Sequence, residues 1–354
     1  MVAKVFNIGG KPVGHGHRPL IVAEMSANHC GNLDYALGIV SAAAECGADA
    51  IKLQTWRPGS LTINSQRPEF FISDPSSPWY GWRLWDLYEK AHTPLQWHEP
   101  IFNAARKAGL ACISTAFDPE SVEFLLSLSI DAIKIASFEL VHIPLIETAA
   151  KSGKPVLLST GMATRVELDD AVATLRASGC DQFILLKCTS AYPSEEASAN
   201  VLTMDDMYRC YGCNVGLSDH SLRPYSAFAA ASLGAALIEK HFTLSRGNKG
   251  LDSVFSLEPP ELLQLVEGIN LTWRSLGEIA YGPLDVEESS MKERPSIYVV
   301  RSIKKGEPFT QQNVRVIRPA NGLPPKYYKS VLGKVSARDI ESESPMSWDH
   351  VTEH

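Results

Sequence analysis

The sequence predicts a (β/α)8 barrel followed by a small β-rich domain, and three observations carry that expectation. Short apolar runs rich in Val, Ile, Leu and Ala recur along the chain, as strands buried on both faces of a parallel sheet require. Helix-patterned segments lie between them. Eight such units fit into about 280 of the 354 residues, which is the arithmetic of the barrel. A doubly wound open sheet is the competing fold, and the glycine-rich first turn it usually shows is absent.

The elements follow in order. Val5–Val13, with Gly9-Gly10 at its centre, reads as a β-hairpin placed to plug the amino-terminal end of the barrel. The eight strand runs are Leu20–Met25, Ala48–Gln54, Leu110–Thr115, Ala132–Ser137, Pro155–Thr160, Phe183–Cys188, Asn214–Ser218 and Ala235–His241. Helical periodicity covers Tyr35–Glu45, Leu87–Lys107, Glu120–Leu128 and Arg165–Ala177. Thr164 with Glu167 forms a capping-box pattern, and Asp118-Pro119-Glu120 reads as an N-cap followed by proline at the first helical position.

After the second strand comes an insertion, Trp56 to Trp85. It holds four of the seven tryptophans (Trp56, Trp79, Trp82 and Trp85) together with Tyr80. Aromatic content argues against disorder, so the insertion is either a cover over the barrel rim or a wall of a substrate pocket. The polar stretch 285–294 reads as a linker. This gives a barrel domain over 1–284 and a small domain over 295–354, whose core is marginal for independent stability.

Composition narrows the function. A net charge of −7 argues against nucleic acid as a partner but leaves room for a small anion in a locally basic cleft. No uncharged apolar run is long enough to span a membrane, and the amino terminus lacks a signal-peptide core, so a cytoplasmic protein is expected. Seven scattered cysteines suit reduced thiols better than a disulfide framework, and the Cys210/Cys213 pair lacks partners for a zinc site.

Chemistry in a barrel gathers at the carboxyl ends of the strands. There the chain places Glu24, Asn28 and His29; Lys52 and Gln54; Ser114, Thr115 and Asp118; Lys134, Ser137 and Glu139. Ser159, Thr160 and Gly161 follow, then Lys187, Thr189, Ser190 and Tyr192; Ser218, Asp219 and His220; and Glu239, Lys240 and His241. Lysines and hydroxyls on neighbouring strands suit a dianionic phosphate. Two histidines on adjacent strands beside a carboxylate suit a divalent metal.

These residues carry a resemblance. Ala23–His29 (AEMSANH), Ile51–Gln54 (IKLQ), Lys134–Ser137 (KIAS) and Leu158–Met162 (LSTGM) resemble motifs of the sialic acid synthase family. So do Lys187–Ser190 (KCTS) with Tyr192-Pro193, Gly216–His220 (GLSDH) and Ile238–Thr243 (IEKHFT). Arg294–Ser296, Lys305–Glu307, Arg318-Pro319 and Val331–Lys334 are similar to the antifreeze-like (SAF) domain of that family. The match runs in order from about residue 18 to 351.

The resemblance implies condensation of phosphoenolpyruvate with an N-acetylated amino sugar by C–O cleavage. It further implies a divalent metal (Mn2+, Mg2+ or Co2+) and a homodimer in which the SAF domain of one subunit covers the barrel mouth of the other. Carried over by position, His220 and His241 would be metal ligands and Glu24 would orient or deprotonate the attacking water. Gln54 would hold the carboxylate end of the reactants. Lys52, Thr115, Lys134, Ser137, Ser159, Ser190 and Ser218 would hold phosphoenolpyruvate; at position 190 the family has Asn, so Ser implies a shorter contact. Asn28, Glu139, Tyr192, Asp252 and Arg318 would face the sugar.

Met25–Ala27 (MSA), Thr189–Tyr192 (TSAY), Leu244–Arg246 (LSR), Leu251–Ser253 (LDS) and Phe255–Pro259 (FSLEP) are similar to the pseudaminic acid synthases within the family. That branch implies a 6-deoxy diacetamido sugar, and the aromatic insertion suits its hydroxyl-poor edge. N-acetylneuraminate and legionaminate synthesis stay open as alternatives with the same chemistry. So does a Schiff-base aldolase using Lys134 or Lys187, and so does a carbohydrate- or ice-binding protein built on the second domain.

Overall fold

A computed structural model of the chain describes residues 3–248 and 250–352. The chain divides into two compact units, Met1–Gly277 and Glu278–His354.

In the first unit a hairpin, β1 (Phe6–Ile8) with β2 (Lys11–Val13), precedes eight parallel strands. These are β3 (Leu20–Glu24), β4 (Ala50–Thr55), β5 (Ala111–Ala116), β6 (Ala132–Ile135), β7 (Val156–Ser159), β8 (Phe183–Cys188), β9 (Asn214–Asp219) and β10 (Leu237–His241). They close in sequence order, β10 pairing with β3 from Leu237↔Leu20 to His241↔Glu24. That closure is the expected barrel and excludes the open sheet. Every residue of β3, β5 and β9 is buried, because one face lines the bore while the other meets the helices.

Two apolar layers result. Ile39, Phe102, Leu145, Leu175 and Leu265 of the outer helices pack against the barrel wall. Inside the amino-terminal end, Phe6, Ile8 and Val13 of the hairpin join Val22, Ile113, Leu157, Leu186 and Leu237, so the hairpin is the expected plug. Its turn depends on Gly9, whose φ is +56° and whose absent Cβ would overlap the Cβ of Ala111. Gly9→Ala should therefore lower stability by about 2 kcal/mol, combining left-handed strain with overpacking. The check is a urea midpoint that falls while the slope of the transition stays constant.

The capping signals read as expected. Thr164 accepts from the Glu167 backbone N–H while the Glu167 carboxylate accepts from the Thr164 backbone N–H. Asp118 accepts from the Ser121 N–H at 2.6 Å, with Pro119 opening the helix.

One expectation is corrected. The helical pattern over Leu87–Lys107 is two helices, Leu84–Ala91 and Leu95–Lys107. Pro94 disfavours helical geometry in the residue before it, and the chain is already extended at His92 (φ −63°, ψ 144°). The buried positions Leu87, Ala91, His98 and Phe102 keep helical spacing across the break, which hid it from the pattern. The aromatic insertion is folded, with helical turns at Pro58–Leu61 and Pro68–Phe70 and an antiparallel bridge between Phe71 and Arg83.

In the second unit β11 (Ser296–Val299) pairs antiparallel with β12 (Val314–Ile317), and further bridges join Ile303 to Ile340 and Pro308 to Val335. Ile297, Val299, Phe309, Val314, Val331 and Met346 form its core. Two short helical turns, Asp285–Glu287 and Glu288–Met291, precede it. Among the described residues no helix is long and apolar enough to cross a membrane. All seven cysteines are free thiols, and Cys210 is exposed while Cys213 is buried.

Candidate active site

Parallel registration and the two-residue side-chain period decide which strand-end groups share the bore. Glu24 and Lys52 are register partners on β3 and β4, Thr115 and Lys134 on β5 and β6, and Ser218 and Glu239 on β9 and β10. The Lys52 ammonium pairs with Glu24, donates to Thr115 Oγ1 at 2.9 Å and lies 3.7 Å from Glu239. Lys134 donates to both oxygens of Glu239 at 3.1 Å, and the Ser218 hydroxyl donates to Glu239 at 3.0 Å. None of these four charged side chains is more than 4% exposed.

Burial and pairing drive these groups in opposite directions. For Lys52 burial opposes the charge, but Glu239 and Glu24 overcome it and hold the ammonium above its usual range. For Lys134 burial prevails, reinforced by Lys52, and its pKa falls. Burial also works against Glu239, yet Lys134 and Lys52 pull its carboxyl well below the ordinary value. Glu24 is pushed up to about 7 by burial and by the charge of Glu239, against the pull of Lys52. The floor of the bore thus holds two cations, one firm anion and one carboxyl that titrates near neutrality.

A tier of hydroxyls surrounds this cluster. Ser137, Ser159 and Ser218 are buried, and the Ser159 hydroxyl has no protein partner. The Ser137 hydroxyl accepts from the Gly161 N–H at 3.0 Å. A Cβ at Gly161 would overlap the Ser190 hydroxyl and reach within 2.8 Å of that of Ser137, so glycine keeps this cradle open.

His220 and His241 face each other with ring centroids 5.3 Å apart. The Thr189 carbonyl, which can only accept, holds Nδ1 of His220 at 2.9 Å and leaves Nε2 as the free nitrogen. Nδ1 of His241 is buried without a partner, and burial plus the neighbouring His220 keep that ring neutral. Two imidazoles with available nitrogens fit the donor set of a divalent metal. Among the described residues no group of three or more His, Cys, Asp or Glu side chains is arranged to hold a metal.

Above the histidines lies a cavity of about 520 Å3. Gln54, Glu139, Tyr192 and Asp252 line it, as do Trp56 and Trp79 of the insertion with Phe117, Tyr88, Leu61 and Leu87. The insertion is therefore a pocket wall through Trp56 and Trp79, whereas Tyr80 is exposed. Tyr192 packs on His220 at 4.4 Å. Trp79 donates its indole N–H to the Leu251 carbonyl at 3.1 Å. Asp252 accepts from the Ser26 hydroxyl and the Ala27 N–H, closing the 250–256 segment onto the end of β3. Burial pushes the Glu139 carboxyl up to about 7.

Three predicted residues sit differently from the rest. Asn28 donates its amide to the Phe242 carbonyl (3.0 Å) and Ser256 hydroxyl (2.8 Å), so it braces the rim. Arg318 is exposed in the second unit, just after β12. Ser190 lies beside Cys188, 3.8 Å away, at the hydroxyl tier. Strand-end charges also separate by parity: Lys240 points away from the bore and pairs with Asp219 at 2.9 Å, while Lys187 donates to the Cys188 carbonyl at 2.8 Å.

The sequence motifs assign no role to Glu239, which bridges both lysines, although its spacing of two from His241 puts it on the same face. Nor do they single out Cys188. Burial pushes that thiol up, but His220 and Lys134 bring it down to about 7.

Comparison with known proteins places this geometry. Residues 39–281 match the NeuB family and residues 294–352 the SAF domain. The pseudaminic acid synthase of Helicobacter pylori is 40% identical over 94% of this chain and 98% of its own length. That of Campylobacter jejuni is 41% identical over 91% and 93%. The crystal structure of N-acetylneuraminic acid (sialic acid) synthetase from Leptospira borgpetersenii in complex with citrate superimposes with a TM-score of 0.72, at 29% identity, over 82% of this chain and 95% of that one.

Proposed function

The chain belongs to the NeuB family, and from that premise we propose that it is a pseudaminic acid synthase. The substrates are phosphoenolpyruvate and 2,4-diacetamido-2,4,6-trideoxy-L-altrose, and the products are pseudaminic acid and inorganic phosphate. The observation that carries the reading is the buried Lys52–Glu239–Lys134 cluster with its hydroxyl tier, set below two histidines and an aromatic cavity. The two pseudaminic acid synthases at about 40% identity support the choice of sugar.

In this reading Lys52 and Lys134 exchange carboxylate partners for the phosphate and carboxylate of phosphoenolpyruvate, assisted by Thr115, Ser137, Ser159, Ser190 and Ser218. Gln54 steadies the carboxylate end. Carbon 3 of phosphoenolpyruvate bonds to the sugar aldehyde carbon, whose oxygen takes a proton, and water adds to carbon 2. Glu24 orients that water and accepts one of its protons, which balances the proton taken up by the aldehyde oxygen; the bond from carbon 2 to the phosphate oxygen then breaks as the new hydroxyl becomes the carbonyl, and its proton leaves with the phosphate. His220 and His241 would hold a divalent ion (Mn2+, Mg2+ or Co2+), which would supply Lewis-acid polarisation of the aldehyde. Glu139, Tyr192 and Asp252 bind the sugar, with Asn28 bracing the rim.

The test is phosphate release from phosphoenolpyruvate with Mn2+ and three sugars: the L-altrose compound, its legionaminate-precursor counterpart and N-acetylmannosamine. Release with the first supports the proposal; release only with N-acetylmannosamine moves the chain to sialic acid synthesis, and release with none rejects the reaction. Treatment with EDTA should lower turnover at least about 100-fold, with recovery on adding Mn2+. His241→Ala should show the loss without the recovery.

The reading includes a domain-swapped homodimer in which Arg318 reaches the sugar bound in the other subunit. Activity recovered on mixing Arg318→Ala with Lys52→Met subunits would support this, and no recovery would oppose it. A Schiff-base route through Lys134 is disfavoured because both oxygens of Glu239 hold its amine at 3.1 Å. Borohydride trapping should yield no adduct.

A further inference from the structure

Besides Nδ1 of His241, two polar groups in the cavity wall have no protein partner. The indole N–H of Trp56 is one: the side chain is only 5% exposed, and Phe117 and Tyr88 hold its ring edge-on at 5.0 and 6.5 Å. Oε2 of Glu139 is the other. It shares the cavity lining with Trp56 and Tyr88, and its charge, after burial, raises the pKa of the Tyr88 phenol. Trp79, the other tryptophan of the cavity, already donates to the Leu251 carbonyl. Buried donors and acceptors without partners are rare in folded proteins, and here one of each lines one cavity. The same lining includes the apolar side chains of Phe117, Leu61 and Leu87.

A donor, an acceptor and an apolar patch together form the complement of a secondary amide with a methyl group. We infer that Trp56 and Glu139 read one acetamido group of the sugar. The indole N–H donates to its carbonyl oxygen, Oε2 of Glu139 accepts its N–H, and the methyl rests among Phe117, Leu61 and Leu87. A hydroxyl at the same ring position brings no methyl, and its single oxygen replaces a donor and an acceptor that lie on different atoms of the amide, which is how a polar site rejects an analogue. Trp56 is in this sense a specificity residue, and it rests on the reaction proposed above.

Trp56→Phe deletes the N–H while keeping an aromatic edge. With the full chain, the KM for the diacetamido sugar should rise about tenfold, while kcat and the KM for phosphoenolpyruvate stay within about twofold. Inhibition constants are then measured for two analogues, each with a hydroxyl replacing one acetamido group. For one analogue the Trp56→Phe penalty should vanish, and for the other it should persist. Glu139 gives an independent arm: Glu139→Leu should raise the sugar KM about tenfold, and Glu139→Gln, which keeps an acceptor oxygen, should restore most of it. A penalty that is equal for both analogues, or an unchanged sugar KM in Trp56→Phe and Glu139→Leu, overturns the inference alone. A wild-type chain that releases phosphate with no sugar overturns the proposed function and this inference with it.

Discussion

Glu239→Leu is expected to lower the stability of the barrel unit by about 3–5 kcal/mol and to abolish phosphate release. Among the described residues Glu239 is the only carboxylate in contact with both lysines, at 3.7 Å from Lys52 and 3.1 Å from Lys134, and it also accepts from Ser218. Removing it leaves two buried ammonium groups with Glu24 as their one remaining anion. Breaking a buried pair from one side costs far more than the pair contributes, because the stranded charge stays desolvated. Glu239→Gln, which keeps an acceptor oxygen, should be milder.

Phosphoenolpyruvate brings phosphate and carboxylate charge to the bereft lysines, so it should raise the melting temperature of Glu239→Gln more than that of the wild type. A thermal-shift series with and without the ligand checks this. A variant that melts with the wild type and gains nothing from the ligand would refute the assigned role of the cluster.

The second large effect concerns Glu24. Its carboxyl titrates near 7 because burial and the charge of Glu239 disfavour the ionised form. As the group that takes a proton from water it must be ionised, so kcat/KM should climb with pH through an inflection near 7. Glu24→Gln should remove that limb and lower turnover by about 10² to 10⁴. A Glu24→Gln enzyme that keeps both the rate and the inflection would assign the proton transfer elsewhere.

Stability should respond with the opposite sign. A carboxyl whose folded pKa is raised contributes stability that is fully present below its unfolded value of 4.5 and is lost as pH rises through about 7. Glu24 and Glu139 both behave this way. Glu239 is held low, so its contribution is present above 4.5 and is lost as pH falls toward 2. Urea midpoints between pH 5 and 8 should therefore decline less steeply in Glu24→Gln than in the wild type.

Much of this protein was legible in the chain itself. Apolar runs of strand length alternating with helical periodicity specify a parallel barrel, since only strands buried on both faces need them. Strand-end position located Glu24, Lys52, Thr115, Lys134, Ser218, His220 and His241 in one bore. The hairpin plug followed from a glycine pair between apolar residues, and both helix caps followed from local hydrogen-bonding chemistry. Such features depend on neighbours a few residues away, and so they are written locally.

What tertiary structure alone decided is which groups meet. Parity separates Glu239 from Lys240, but only closure of β10 on β3 carries Glu239 to Lys52 and Lys134. The helix break at Pro94 was concealed because its buried positions keep helical spacing across it. Trp56 and Glu139 follow strands two apart in the barrel and become lining of one cavity only when it closes. Long-range contacts of this kind depend on burial and on what remains unpaired once the barrel has closed. Sequence composition chose the kind of site, and the closed geometry chose its charges and its partners.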